Sequence, residues 1–387
     1  MNRVLLESED VAWFRDDLTG ARPAASQLAT RTGLSEHRTG EVALAVSEAA
    51  SNLVKHAVDG AIALRVVRTA QQAGIEFLAM DHGPGMADVA ASMLDGRSTA
   101  GTLGIGLGMV ARLADTFDLH SLPGQGTVML ARFWPRDARF YNHGSSGDLP
   151  ESVVGGLARP ISGGQDCGDG WATRWADAGT SAPGQPLLRA APDSRSGTPE
   201  RSLPDRGRST TGSAPVTIGA EPGLLVLLCD GLGHGPLAKM ATQAAIRAFH
   251  ASRGRSPEAV MEDIHHALPG TRGAAVAVAR IEPDRQQVLL CGIGNISAAV
   301  VTPNTKNSLP STPGTAGHQI STLRTVTLPL PAGSALVMHS DGLTQRWTPK
   351  TLPALLRHSP TVIAGHLLRS AGKYHDDASV AVAKGLW

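Results

Sequence analysis

Residues 224–235 read LLVLLCDGLGHG: an unbroken apolar run that ends in Asp230 and then a glycine-rich turn. An apolar run of this length bounded by glycines is the pattern of a buried strand. A carboxylate at the end of a buried strand is costly unless something compensates it, and a divalent metal ion is the usual compensation. Residues 335–342 (ALVMHSDG) repeat the pattern with Asp341, and a third acidic pair, Asp376 and Asp377, sits before the last short apolar segment. Three acidic strand ends point to a metal site. A second set of polar residues lies near the N-terminus. Glu48 and Asn52 are four residues apart, with His56 one turn further on. Asp81-His82-Gly83-Pro84-Gly85 follows an apolar run, and residues 101–108 (GTLGIGLG) precede a helical stretch, MVARLAD. Glycines before a helix start let the backbone approach an anion, which the helix N-terminus favours.

These residues must be positioned by regular elements. Residues 17–32 read as a helix closed by Gly33, and Ser35 as the N-cap of the next. That next helix, about 36–57, carries Val42, Val46, Ala49 and Leu53 as an apolar stripe, with Glu48, Asn52 and His56 on its polar side. Short strands are expected at 4–6, 61–69, 74–80 and 128–133. In the C-terminal half the pattern predicts strands at 273–281, 287–291, 296–302, 334–339 and 380–383. It predicts helices at 236–252, 257–268, 349–356 and 360–371, a turn at 292–295 and a loop over 303–319.

The chain has 387 residues, of which 42% are hydrophobic and 18% charged, enough for two or three domains with sizeable cores. A formal net charge of +1 argues against a broad electrostatic footprint for nucleic acid or membrane. Aromatics make up only 4%, leaving few stacking platforms for single strands. Three cysteines without a CxxC pair fit a reducing cytoplasm better than a disulfide framework or zinc site. The N-terminus lacks an apolar core of signal-peptide length, and no apolar run is long enough to span a bilayer. A cytoplasmic protein is expected, with neither nucleic acid nor membrane as partner. The organisation expected is a domain over 1–135, a linker over 136–150 and a second domain over 151–387. Residues 177–215, rich in Ser, Thr, Pro and Gly, read as a disordered insertion.

The ordered set of Glu48/Asn52 helix, DHGPG after a strand, and glycine loop before a helix resembles the GHKL ATP-binding family. It lacks the GK[ST] of a P-loop and the strand that leads into a Rossmann glycine turn. The resemblance implies an α/β sandwich. Asn52 then holds the Mg²⁺ of Mg-ATP, Asp81 accepts the adenine amino group, and Gly83 and Gly85 line the adenine pocket. Gly104, Gly106 and Gly108 form a hinge over the phosphates, and Glu48 is the catalytic base for the attacking hydroxyl. SEAASN, DHGPGM and DGRSTAGTLGIGLGMVARLAD look most like the RsbT-type switch kinases, which implies a serine/threonine kinase acting on a STAS-domain protein.

DGLGHG, SDGLT and DDAS resemble the SpoIIE family of metal-dependent phosphatases, with the type 2C α-β-β-α sandwich. Cys167-Gly168-Asp169 resembles the GD motif of its RsbX-like branch. The resemblance implies two Mn²⁺ or Mg²⁺ ions bridged by Asp230 with the Gly231 carbonyl, and completed by Asp169, Asp341 and Asp376. Asp377 is the alternative to Asp376 within the acidic pair. His234, His339 and His375 are expected to be structural or supporting. The implied function is a two-domain α/β enzyme that both phosphorylates and dephosphorylates Ser/Thr of a STAS-domain anti-sigma antagonist in a stress circuit. The alternative is a nucleotide-dependent sequestering protein in which only the phosphatase is catalytic. Retention of Glu48 favours the enzyme, because sequestration needs no base.

Overall fold

The computed structural model describes residues 11–69, 72–93, 106–136, 153–176 apart from 163 and 165, 223–351 and 354–384, with the backbone of Leu5–Leu6. The proposed insertion at 177–215 and most of the proposed linker lie outside these residues. The first half runs β1 (Leu5–Leu6), β2 (Ala12–Phe14), α1 (Ala21–Arg31), α2 (Glu36–His56), β3 (Ala61–Arg68), β4 (Ala73–Asp81), α3 (Val89–Ser92), α4 (Gly106–Leu113), β5 (Thr116–Ser121) and β6 (Thr127–Phe133). Gly33 takes a φ of 82°, which ends α1's run, and the Ser35 hydroxyl accepts from the Arg38 amide at 3.3 Å to start α2. The strands form one sheet in the order β1-β3-β4-β6-β5, with β2 also on β3.

The second half runs β7 (Val154–Arg159), β8 (Asp169–Trp175), β9 (Leu224–Gly231), α5 (Pro236–Ala251), α6 (Pro257–Ala267), β10 (Ala274–Glu282), β11 (Gln287–Ile293), β12 (Ser297–Val301), β13 (Lys306–Leu309), β14 (Thr325–Pro329), β15 (Ala335–His339), α7 (Pro360–Ala371) and β16 (Ala378–Lys384). Two five-stranded antiparallel sheets result, β14-β11-β10-β9-β8 and β13-β12-β15-β16-β7. They face each other over a core that includes Trp171, Leu228, Val300 and Met338. Helices α5 and α6 cover the first sheet through Phe249, Met261 and Ile264. Both halves are mixed α/β: the first is one sheet with α1, α2 and α4 on one face, and the second an α-β-β-α sandwich.

Several elements differ from the sequence expectation. The loop expected at 303–319 contains β13, whose residues are KNSL; the strand is half-exposed and only Leu309 is buried, so no apolar period marks it. The turn expected at 292–295 begins late, because β11 continues through Gly292 and Ile293. The helix expected at 349–356 is two short 3-10 turns, Pro349–Thr351 and Leu355–Arg357. Strand β14 was not anticipated; it is a short edge strand ending in Pro329.

Helix α7 decides how the halves meet. One face of the N-terminal sheet packs on α1, α2 and α4 through Ile62, Leu64, Phe77 and Phe133. The opposite face, with Ala63, Leu78, Met80, Val128 and Leu130, joins Val362, Ile363, Leu367 and Leu368 of α7 in one core with β7, β15 and β16. The layers therefore run helices, sheet, α7, sheet, sheet, helices. Helix α7 is buried from Pro360 to Leu368, consistent with its apolar residues falling on all sides. Gly365 marks the crossing: a Cβ there would stand 3.1–3.2 Å from Leu78, Val128 and Met80. Gly155 on β7 leaves room for the other side, where a Cβ would collide with the Thr361 backbone.

A buried Arg65–Glu76–Arg132 triad lies on the same sheet face. Arg65 Nη2 stands 2.5 Å from Glu76 Oε1, and Arg132 Nε pairs with Oε2. Both arginines reach across: Arg65 Nη1 donates to the Gly156 carbonyl at 2.7 Å, and Arg132 Nη2 to Thr361 Oγ1 at 3.4 Å. Burial pushes the Glu76 carboxyl up, but Arg132 and Arg65 outweigh it and hold it below the ordinary value. Removing one partner of a buried ionic group strands the others. Glu76→Ala is expected to cost about 3–5 kcal/mol in urea unfolding. A loss below about 1 kcal/mol, the range of exposed pairs, would contradict this placement.

Candidate functional sites

Helix α2 presents Glu48 and Asn52 one turn apart on a half-buried face. The Glu48 carboxylate lies against Gly106, the first residue of α4, so closely that a Cβ at Gly106 would collide with Oε1. Gly108 is buried on the same helix. Asp81 ends β4, and its Oδ1 accepts from the Gly83 amide at 2.7 Å. Gly83 is wedged between that carboxylate and the end of α2: a Cβ there would stand 2.8 Å from both Asp81 Oδ1 and the His56 carbonyl. Gly85 has φ 65° and packs on the Leu122 carbonyl, where a side chain has no room. Burial raises the Asp81 carboxyl above its ordinary value, and the Gly83 amide and Arg369 counter it. Glu48, in the C-terminal half of α2, thus meets the start of α4 at Gly106, while Asp81 and Gly83 lie by the C-terminus of α2 and Gly85 against the turn between β5 and β6. Gly104 lies outside the described residues. The His56 side chain is exposed.

The second cluster forms where strands from the two facing sheets end. Asp169 and Asp230 are register partners on β8 and β9, although 61 positions separate them in sequence. Burial pushes Asp230 up to about 9, and Asp169, Asp341 and Asp376 add to the rise. Burial also pushes Asp169 up, to about 7, with Asp377 and Asp376 adding and the Ser340 hydroxyl opposing. Asp169 Oδ2 is buried without a hydrogen-bond partner. Carboxylates that mutually repel, one with an orphaned oxygen, form a donor set suited to divalent cations. Among the described residues, no three His, Cys, Asp or Glu side chains are grouped closely enough to hold an ion by themselves. An ion held here would draw the rest of its coordination from water, as hard cations commonly do.

The acidic pair divides by geometry. Asp377 is buried, and its two oxygens accept from the Ile161 and Gly168 amides, each at 2.7 Å. That carboxylate fixes the turn leading into β8. Asp376 is half-buried, and its carboxyl is raised by burial and by Asp341. Gly231 is held by its amide, which donates to the Gly168 carbonyl at 3.0 Å. Sequence reasoning missed two supports of Asp341. Asn295 Nδ2 donates to its Oδ2 at 2.7 Å, and Lys373 Nζ donates to its carbonyl at 2.5 Å. Asn295 follows the Gly-Ile-Gly turn, where the glycines were visible but the direction of the amide was not. His339 is buried, with Nδ1 2.8 Å from the Ser340 carbonyl; His234 and His375 are exposed.

Residues 15–133 match the family model described as a histidine kinase-like ATPase domain. The serine/threonine-protein kinase RsbT of Bacillus subtilis (strain 168) is 37% identical over 120 residues, covering 31% of this chain and 90% of RsbT. The chain belongs to the RsbT family. In this RsbT-family chain, residues 220–385 match a second model, stage II sporulation protein E (SpoIIE). The phosphoserine phosphatase RsbX of the same bacterium is 25% identical over 142 residues, 36% of this chain and 71% of RsbX. A crystal structure of RsbX in complex with magnesium superposes with a TM-score of 0.42 at 18% identity, covering 60% of this chain and 92% of that one. An RsbT-like ATPase half is therefore joined to a SpoIIE-type half. Among the described residues no helix is long and apolar enough to cross a membrane.

The acidic cluster carries a pH prediction. Folding raises Asp230 and Asp169 above the ordinary carboxylate value, so the native state binds more protons than the unfolded one. Stability of the metal-free protein therefore falls as pH rises from the unfolded value near 4 through about 9. A divalent cation bound at these carboxylates would compete with those protons and stabilise more as pH rises. Melting temperatures with chelator and with Mn²⁺ are expected to diverge between about pH 6 and about pH 8.5. A gap that stays constant would contradict the cluster's role.

Proposed function

We propose that this chain is a bifunctional switch that phosphorylates Ser or Thr of a STAS-domain anti-sigma antagonist with Mg-ATP and removes phosphate from the same class of partner. The observation that carries this reading is the presence, on one chain, of Glu48 set against the start of α4 and of Asp169 and Asp230 paired in register on β8 and β9. The chain's similarity to RsbT, named a serine/threonine kinase, and to RsbX, named a phosphoserine phosphatase, supports both directions.

In the kinase half, Asp81 accepts from the adenine amino group, with Gly83 and Gly85 giving the ring access. Asn52 holds the Mg²⁺ of the nucleotide, and the segment carrying Gly104, Gly106 and Gly108 covers the phosphates. Glu48 takes the proton of the Ser/Thr hydroxyl as its oxygen bonds to the γ-phosphorus and ADP departs. Phosphoryl transfer asks mainly for positioning and charge neutralisation, and a rigid helix that holds Glu48 and Asn52 one turn apart supplies the positioning. In the phosphatase half, Asp230, the Gly231 carbonyl, Asp169, Asp341 and Asp376 hold two Mn²⁺ or Mg²⁺ ions. When bound, the ions supply a nucleophilic water near neutral pH and neutralise the phosphate. Asn295 and Lys373 keep Asp341 aimed, and Asp377 fixes the turn that delivers Asp169.

The test separates the two activities. Glu48→Ala is expected to lower transfer from ATP to the STAS partner by about 10²-fold or more, with nucleotide and partner binding retained. Asp230→Ala is expected to abolish phosphate removal and to leave a stable phosphopeptide detectable by mass spectrometry. If no STAS protein of the same organism becomes phosphorylated while ATP binds, the kinase half sequesters its partner and does not modify it.

A further inference from the structure

The C-terminal end of α7 reaches into both sites. Its residue Arg369 belongs to the SpoIIE-type half but donates from Nη1 to the Asp81 carbonyl at 2.9 Å. In return His82 Nε2 stands 3.0 Å from the Arg369 carbonyl. Gly126 completes this junction: a Cβ there would collide with the Asp81 carbonyl and stand 2.9 Å from Arg369 Nη1. The residue proposed to receive adenine is thus held at its backbone by the other half of the chain.

The same segment runs directly to the acidic cluster. Four residues after Arg369, the Lys373 amide donates to the Gly342 carbonyl at 2.7 Å and its ammonium to the Asp341 carbonyl at 2.5 Å. The Thr344 amide donates to the Ala371 carbonyl at 2.8 Å, and Arg159 Nη2 to the Lys373 carbonyl at 2.5 Å. Asp376 and Asp377 follow within the same stretch. The connection between Asp81 and the metal cluster is therefore a short, hydrogen-bonded piece of backbone.

We propose that Arg369 is a positioning residue for the nucleotide site, and that residues 369–377 link occupancy of that site to occupancy of the metal cluster. The inference rests on the site roles proposed above. Metal at Asp341 and Asp376 orders the segment, which sets Arg369 against Asp81 before nucleotide arrives. A site that is already ordered pays less entropy on binding. Linkage is reciprocal, so nucleotide tightens metal by the same factor. Opposing active sites would then report their state to each other through α7.

A double-mutant cycle on the full chain tests this, read as the dissociation constant of a fluorescent ADP analogue at fixed Mg²⁺. Arg369→Gln is expected to weaken binding about tenfold, and Arg369→Lys, which keeps the charge and one donor, about threefold. Asp341→Asn is expected to weaken nucleotide binding about threefold when Arg369 is present, and by less than about 1.5-fold in the Arg369→Gln background. If Arg369→Gln does not fold, the cycle is run with Arg369→Lys, where the Asp341→Asn effect must shrink in the same direction. Wild-type affinity in the Arg369 variants, or an Asp341→Asn effect that is the same in both backgrounds, overturns the inference. A wild-type chain that binds no ADP analogue overturns the nucleotide-site reading itself, and the inference with it.

Discussion

The structure depends on one helix having no free face. Helix α7 is buried along nearly its whole length, with one side against the sheet that carries Asp81 and the other against the sheet that carries Asp341. Each fully buried Val, Ile or Leu contributes about 1.5–3 kcal/mol, so Val362, Ile363, Leu367 and Leu368 form the main adhesive between the halves. The arrangement needs small residues where backbones approach, and Gly365 and Gly155 provide them. It also needs every buried charge answered, which the Arg65–Glu76–Arg132 triad achieves by bonding to groups from both halves.

Both ends of α7 are fixed by polar groups of the first half. At its N-terminus, Asp118 of β5 accepts from the Ser359 amide and pairs with His358, each at 2.7 Å. Burial pushes the Asp118 carboxyl up, but these bonds outweigh it and hold it below its ordinary value. An anion at a helix N-terminus also meets the positive end of its dipole. At the C-terminus, Arg369 grips the Asp81 carbonyl. Near its middle, His366 packs edge-on against His120, and burial holds both imidazoles far toward neutral, at about 3 and about 4. They serve as flat, uncharged packing surfaces at ordinary pH.

Much of this was legible in the sequence. Helix α2 and its cap, the apolar run into Asp230, and helix α7 at residues 360–371 could be read from period, capping residues and glycines. What escaped has a common physical origin: it depends on partners distant in sequence. The apolar residues on all sides of α7 say that it is buried, but not that the second cover is a sheet from the other half. Adjacent acids Asp376 and Asp377 are chemically alike, and only the amides of Ile161 and Gly168 distinguish them. The pairing of Asp169 with Asp230 is invisible across the long segment between them. Strand β13 escaped because its residues are polar and its stability comes from β12.

The two halves share one core around α7, and both candidate sites rest on it. The most direct test is to place a protease site within residues 137–150, cleave the folded protein and run it on gel filtration. The two fragments are expected to stay together, eluting at the position of the uncut chain, because the buried α7 interface and not the connecting segment holds them. Fragments that separate under native conditions would contradict it.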